Sequence, residues 1–187
     1  SLTEDGVNSI DYCSKFINYL SEIQSELINK YKNNKYSPAY PTLNVGKING
    51  GLAVNIIPNK CVMEFEIRDT PEMESKLFIN KIKRFLKELE ADMKKKVKNC
   101  KIELEVKNNF PPLLTNYSSN FISLCLQALK KNSTSAVSFG TEAGIFNEIG
   151  FETIVCGPGS IKQAHKPNEF IEIKQLDKCR DFLLKLI

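Results

Sequence analysis

Histidine and arginine are scarce in this chain of 187 residues: there is one histidine, His165, and arginine stands only at Arg68, Arg84 and Arg180. Lysine supplies nearly all the positive charge, and the formal net charge is a mild +4. Nucleic-acid surfaces favour clustered arginine with interleaved aromatics. A compositional bias toward Lys and Asn therefore accounts for this usage better than a nucleic-acid partner does. The densest basic run, Lys94-Lys95-Lys96 with Lys98 and Lys101, ends an amphipathic pattern. Cations there complement the carbonyl end of a helix dipole, so a solvated helix terminus is the better reading. No apolar run reaches membrane-spanning length and no secretory leader pattern is present, which points to a cytoplasmic protein with no membrane partner. Cys-x-x-Cys is absent as well. The six cysteines, Cys13, Cys61, Cys100, Cys125, Cys156 and Cys179, stand singly. They read as reduced, mostly buried thiols, not a disulfide frame or a zinc ribbon.

What is present suits a folded core, since 42% of the residues are hydrophobic. From Val7 onward Ile10, Cys13, Phe16, Leu20, Ile23 and Leu27 recur every three or four residues, the stripe of a long amphipathic helix. Residues 31–41 read as a loop. Thr42–Arg68 reads as strands: Leu43-Asn44-Val45 running to a corner at Gly50-Gly51, then Ala53–Ile57, a Pro58-Asn59 turn, and a return over Cys61–Arg68. On the return strand Met63, Phe65 and Ile67 alternate with Glu64, Glu66 and Arg68, so one face packs and the other is polar. Thr70 is placed to cap a second helix with Pro71 at its first position. Its stripe is Phe78, Ile82, Leu86, Leu89 and Met93. Residues 101–107 alternate like a further strand, with Ile102, Leu104 and Val106 inward. After a linker at 108–112, residues 118–131 read as helix, and a last helix begins near Gln175.

The stretch Val137–Ile171 has the densest chemistry. A short apolar run ends in Gly140-Thr141-Glu142, a two-turn helix follows, and a strand over Thr153–Cys156 breaks at Gly157-Pro158-Gly159. Strand–turn–helix–strand–loop units in α/β sheets hold ligands at their strand ends. Glycines there let backbone approach a ligand closely. His165 follows six residues after Gly159. A lone histidine is ordinarily a satisfied or exposed side chain.

The blocks F-G-T-E-A-G, G-P-G-S-I and Q-A-H-K-P-N-E-F, in that order, resemble the acetylornithine deacetylase-like branch of the two-metal aminoacylase and desuccinylase metallopeptidases. G-V-N-S-I-D-Y, N-V-G-K-I-N-G-G-L-A-V-N-I-I-P-N-K-C and E-F-E-I-R resemble that family's inserted lid, or dimerisation, domain. The resemblance implies an α/β protein with an α+β lid. Residues 1–109 would be a ferredoxin-like lid lacking its first strand, and 110–187 the C-terminal half of an aminopeptidase-like α/β catalytic domain. It implies that His165 is a ligand of Zn2+ or Co2+, that Asn55, Arg68, Gly157 and Gly159 contact substrate, and that lids pair as a homodimer. A guanidinium suits such a role because it binds a carboxylate bidentately. The competing reading for Arg68 is an ordinary strand charge paired with Glu64 or Glu66. Glu142 lies beside the family's metal cleft, with a capping carboxylate as competitor.

The family's reaction is hydrolysis of an N-acyl amino acid by a metal-activated water and a glutamate base. No His-x-Asp motif and no Glu-Glu pair able to supply the remaining ligands and base occurs in this sequence. The family's intersubunit histidine would fall just before Ser1. The expectation is therefore a partial enzyme, inactive alone, whose partner is the N-terminal half of the catalytic domain. The alternative is a non-catalytic dimerising or ligand-binding remnant.

Overall fold

The structure, a computed structural model, describes residues 6–137, 139–164 and 166–187. The chain divides into two compact units, Ser1–Asn109 and Phe110–Ile187.

In the first unit, helix α1 spans Ser9–Lys30. Asn8 caps it, its side-chain oxygen accepting from the backbone N–H of Ile10 (2.9 Å) and Asp11 (3.3 Å). Tyr12, Phe16, Leu20, Ile23 and Leu27 form its buried stripe. Strand β1 (Thr42–Gly50) pairs antiparallel with β2 (Cys61–Arg68), Val45 facing Phe65 and Gly50 facing Cys61, with a bulge between Val45 and Lys47. Helix α2 spans Ser75–Lys96 and buries Phe78, Ile82, Leu86, Leu89 and Met93. Both helices pack on Leu43, Val45, Met63, Phe65 and Ile67. Phe16 meets Phe65 edge-on at 5.6 Å, and Tyr19 stacks on Phe85 at 3.8 Å. Gln24 locks α1 to the hairpin, donating to Pro41 O (3.2 Å) and accepting from Leu43 N–H (2.6 Å). Tyr12 ties α1 to α2 by donating to Asp92 Oδ2 at 2.8 Å.

The remaining elements form the second unit. Helix α3 (Asn120–Leu129) is capped by Ser119, which accepts from Ile122 N–H. Helix α4 spans Ala143–Glu148, a single 3-10 turn covers Ile161–Gln163, and α5 spans Ile173–Leu183. Ile122, Cys125 and Phe182 are its buried hydrophobics. Thr115 donates to Thr153 O (3.2 Å), and Lys185 to Ala128 O (3.2 Å).

Four expectations are corrected. Residues 53–57 are not a strand: Ala53 and Ile56 close a turn, and the whole of 51–60 connects β1 to β2. Residues 101–107 pack Ile102 and Leu104 on the core but pair with no strand among the described residues. Instead Ile102 N–H donates to Glu90 Oε2 at 2.8 Å. Thr153–Cys156 likewise has no ladder partner among the described residues, and a segment without a neighbouring strand is left merely extended. Finally, α2 starts at Ser75, whose hydroxyl donates to Asp69, while Thr70 is buried with no partner for its hydroxyl among the described residues. The cysteines are less buried than expected: Cys125 is buried, Cys156 exposed and the other four intermediate.

Candidate functional site

The polar face of β2 carries the first candidate, Arg68. The 2.0-residue period of a strand puts Glu64, Glu66 and Arg68 opposite the core-facing Met63, Phe65 and Ile67. Arg68 forks onto Glu66, Nε to Oε1 at 3.0 Å and Nη2 to Oε2 at 3.4 Å. Glu64 pairs instead with Lys107 at 3.3 Å. The structural competitor for Arg68 is thus an observed contact. Both partners are more than half exposed, 59% and 51%, and such pairs are held by about 1 kcal/mol or less. A ligand carboxylate can take Glu66's place at little cost.

Asn55 sits at the other end of the hairpin. It lies in the 51–60 connection and lines an open hollow with Asn8, Ile10, Gly51 and Pro58. Ser9 N–H donates to Pro58 O (3.0 Å), pinning this loop to the start of α1. Gly51 adopts φ +81°, which favours glycine at the corner. Cys61 pairs with Gly50 beside this loop, and Arg68 pairs with Thr42 at the far end. The eight residues of β2 therefore hold Cys61, beside the loop that carries Asn55, about 23 Å from Arg68, at 3.3 Å per residue. One copy of the chain does not bring Asn55 and Arg68 onto one small ligand.

In the second unit Gly157 and Gly159 are exposed in the loop before the 3-10 turn. Gly159 has φ +98°, and its N–H already donates to Gln175 Oε1 at 3.0 Å. Gly157 has open space where a Cβ would project, as a close backbone–ligand contact requires. Glu142 precedes α4 and is exposed, but its carboxylate makes no capping hydrogen bond. Thr141 Oγ1 accepts from Ala143 N–H at 3.1 Å instead, so the capping competitor for Glu142 falls to its neighbour. The glycine that closes the same motif, Gly144, is held against Pro111, where a Cβ would meet the carbonyl oxygen at 1.8 Å. The reading of His165 as a metal ligand lies outside the described residues. Among the described residues no three His, Cys, Asp or Glu side chains converge to hold an ion; they do not by themselves form a two-metal centre. No helix among them is long and apolar enough to cross a membrane.

Two helices laid on one face of an antiparallel hairpin, with an ionic opposite face, make the first unit a two-layer α+β unit, and the second unit adds short helices linked by glycine-bearing loops. The peptidase dimerisation domain family matches residues 1–94, and the chain belongs to it as an acetylornithine deacetylase-like member. Acetylornithine deacetylase of Pasteurella multocida (strain Pm70) is 32% identical over 182 residues, covering 97% of this chain and 46% of that protein. The acetylornithine deacetylase of Buchnera aphidicola subsp. Acyrthosiphon pisum (strain Tuc7) is 33% identical over 185 residues (98% and 47%). That of Vibrio atlanticus (strain LGP32) is 29% identical over 182 residues (97% and 47%). The chain spans just under half the length of the curated relatives it matches.

Proposed function

We propose that this chain supplies the lid and the second half of the catalytic domain of a metal-dependent amidohydrolase acting on N-acyl amino acids. The leading substrate is N-acetylornithine, cleaved to ornithine and acetate in cytoplasmic arginine biosynthesis. In this reading residues 1–109 are a ferredoxin-like lid without its first strand, and 110–187 belong to an aminopeptidase-like α/β catalytic domain. His165 is one ligand of Zn2+ or Co2+, Arg68 and Asn55 grip the substrate, and the 157–159 loop lines its cleft. The observation that carries the reading is the similarity to acetylornithine deacetylases along nearly the whole chain. A metal site takes three or four protein groups, and one imidazole cannot supply them, so the chain alone is inactive.

The separation of Asn55 from Arg68 fits a self-associating lid. In a two-fold dimer each cleft takes Arg68 from one copy and Asn55 from the other. With the N-terminal half present, mixing Asn55→Ala and Arg68→Ala copies then rebuilds one intact site per hybrid dimer, returning roughly a quarter of full activity at random pairing.

The decisive experiment co-expresses an N-terminal half bearing the family's His-x-Asp and Glu-Glu motifs with this chain and follows N-acetylornithine hydrolysis with Zn2+ or Co2+. Activity is expected only in the mixture, and His165→Ala abolishes it. Metal-dependent turnover by the purified chain alone overturns the partial-enzyme reading. A complex without turnover turns it into a non-catalytic remnant.

A further inference from the structure

The polar face of β2 holds two charge pairs, and each contains half of the proposed substrate's chemistry. The Glu66 carboxylate occupies the Arg68 guanidinium, at 3.0 and 3.4 Å. The Lys107 ammonium lies 3.3 Å from Glu64 Oε2. An N-acylated ornithine carries the same two groups on one molecule: an α-carboxylate, and a side-chain amine that is protonated at neutral pH as lysine's is. The Lys107 and Glu64 side chains are 61% and 44% exposed, so this pair, like that of Arg68, opens at small cost.

Spacing decides which acid can meet the far end of such a ligand. Residues two apart on a strand rise from one face about 7 Å apart, and residues four apart about 13 Å apart. Glu66 stands at the first spacing and touches Arg68 directly, which leaves no room for a ligand between them. Glu64 stands at the second. The ornithine carboxylate and terminal nitrogen are about 6 Å apart along an extended chain of bonds of about 1.5 Å. With a charge-assisted bond of about 3 Å at each end, the ligand bridges head groups roughly 12 Å apart. Arg68 and Glu64 match that length. We propose that Glu64 is a specificity-determining residue, receiving the side-chain ammonium of an ω-amino N-acyl amino acid whose carboxylate is held by Arg68. The assignment rests on the amidohydrolase reading above and adds to it the group that selects an ornithine-like side chain.

The competing charges are both lysines. Lys107 supplies the ammonium that the ligand displaces. Lys47 faces Glu64 across the ladder, although the two form no ion pair among the described residues. If these lysines were the recognition groups instead, an N-acyl amino acid ending in a second carboxylate would be preferred.

The test measures binding by the whole chain, with no metal and no turnover, from the shifts of the β2 amides in a two-dimensional NMR titration. The ligands are N-acetylornithine, N-acetylnorvaline, which lacks the terminal amine, and N-acetylglutamate. N-acetylornithine is expected to bind about threefold to fivefold more tightly than N-acetylnorvaline, with shifts at both Glu64 and Arg68. Glu64→Gln removes that preference and leaves N-acetylnorvaline binding unchanged. Lys107→Met frees the Glu64 carboxylate and strengthens N-acetylornithine binding about twofold, without helping N-acetylnorvaline. A merely structural Glu64–Lys107 pair would give neither selective effect. Equal affinities for the three ligands, a preference for N-acetylglutamate, or no binding at β2 overturns the proposal. Hydrolysis of N-acetylornithine by the co-expressed halves separates the two failures. Turnover without the ligand preference refutes the role of Glu64 alone, and the preference without turnover refutes the enzyme reading alone.

Discussion

Two glycines of the G-T-E-A-G motif separate a packing role from mere presence in a motif. At Gly144, inside α4, an added Cβ would lie 1.8 Å from Pro111 O and 2.7 Å from its carbonyl carbon. Both are backbone atoms, so no side chain can swing aside, and the gap must open by over an ångström to reach even 3.0 Å. Overpacking costs about 1–3 kcal/mol, and a clash with backbone that cannot swing aside belongs in its upper part, about 2–3 kcal/mol. Alanine recovers about 1 kcal/mol of helix propensity over glycine. Gly144→Ala should therefore destabilise the second unit by about 1–2 kcal/mol net, a fall of roughly 4–16 °C in its melting temperature for a unit of this size. Among the described residues Gly140 meets nothing within 4 Å, and it lies outside the left-handed region. Gly140→Ala should be neutral or stabilising by up to about 1 kcal/mol, through the unfolded chain. Thermal melts of both variants in complex with the family's N-terminal half, followed by circular dichroism, decide the matter. A Gly144→Ala protein melting with wild type, or a Gly140→Ala protein falling as far as Gly144→Ala, refutes the reasoning.

Phe78 is fully buried against Ile23, Leu27 and Met73, with Tyr31 edge-on at 5.9 Å; Phe78→Ala should cost about 3–5 kcal/mol in urea unfolding. The Tyr12 hydroxyl, and then Lys95, hold Asp92 below the ordinary carboxylate value. A depressed value contributes stability above the unfolded-state pKa and loses it as pH falls through the folded one, so wild type should lose more stability between pH 5 and pH 2 than Asp92→Asn does. In the reconstituted enzyme Arg68→Lys should raise KM with the fold intact, since the ammonium loses the fork. Glu66→Gln should lower KM by releasing the guanidinium; unchanged constants in both variants leave Arg68 a strand charge and nothing more.

The long helices were legible because their apolar spacing leaves little choice. Leu20, Ile23 and Leu27 on α1, and Phe78, Ile82 and Leu86 on α2, lie on single faces. The alternation of β2 was legible for the same reason. Strand pairing was not, because periodicity records which side chains face inward and says nothing of what lies alongside. Ile102 and Leu104 do face the core, yet among the described residues the Ile102 N–H meets Glu90 and no strand. Ala53–Ile57 alternates no worse than a real strand, but the Gly50–Cys61 pairing assigns those residues to the connection. At the start of α2, sequence favoured Thr70 and Pro71, whereas the Asp69–Ser75 hydrogen bond sets the boundary; a six-residue contact leaves no periodic trace. The Arg68–Glu66 fork was readable as an alternative, since residues two apart on a strand share a face. No spacing rule brings Cys13 beside Met63, fifty residues later.

The two units differ in what they bury, and that difference bears on autonomy. The first encloses Leu20, Leu27, Phe78 and Ile82 almost completely between two helices and a sheet. Each such side chain contributes about 1.5–3 kcal/mol by leaving water, and the Gln24 and Tyr12 bonds tie the layers together. In the second unit Phe146, Ile149, Phe151, Phe170, Ile173 and Leu184 are all more than half exposed, while its buried hydrophobics among the described residues are Ile122, Cys125 and Phe182; such exposed apolar surface is what a covering partner's face would remove from water. Residues 1–109 expressed alone should therefore unfold cooperatively in urea. Residues 110–187 alone should keep helical dichroism while binding a hydrophobic dye and melting without a sharp transition, as loosely packed compact states do. Adding the family's N-terminal half should suppress the dye signal if it covers that face. A sharp transition without dye binding by 110–187 alone would mean that these side chains need no cover, and the partial-domain reading would lose its physical support.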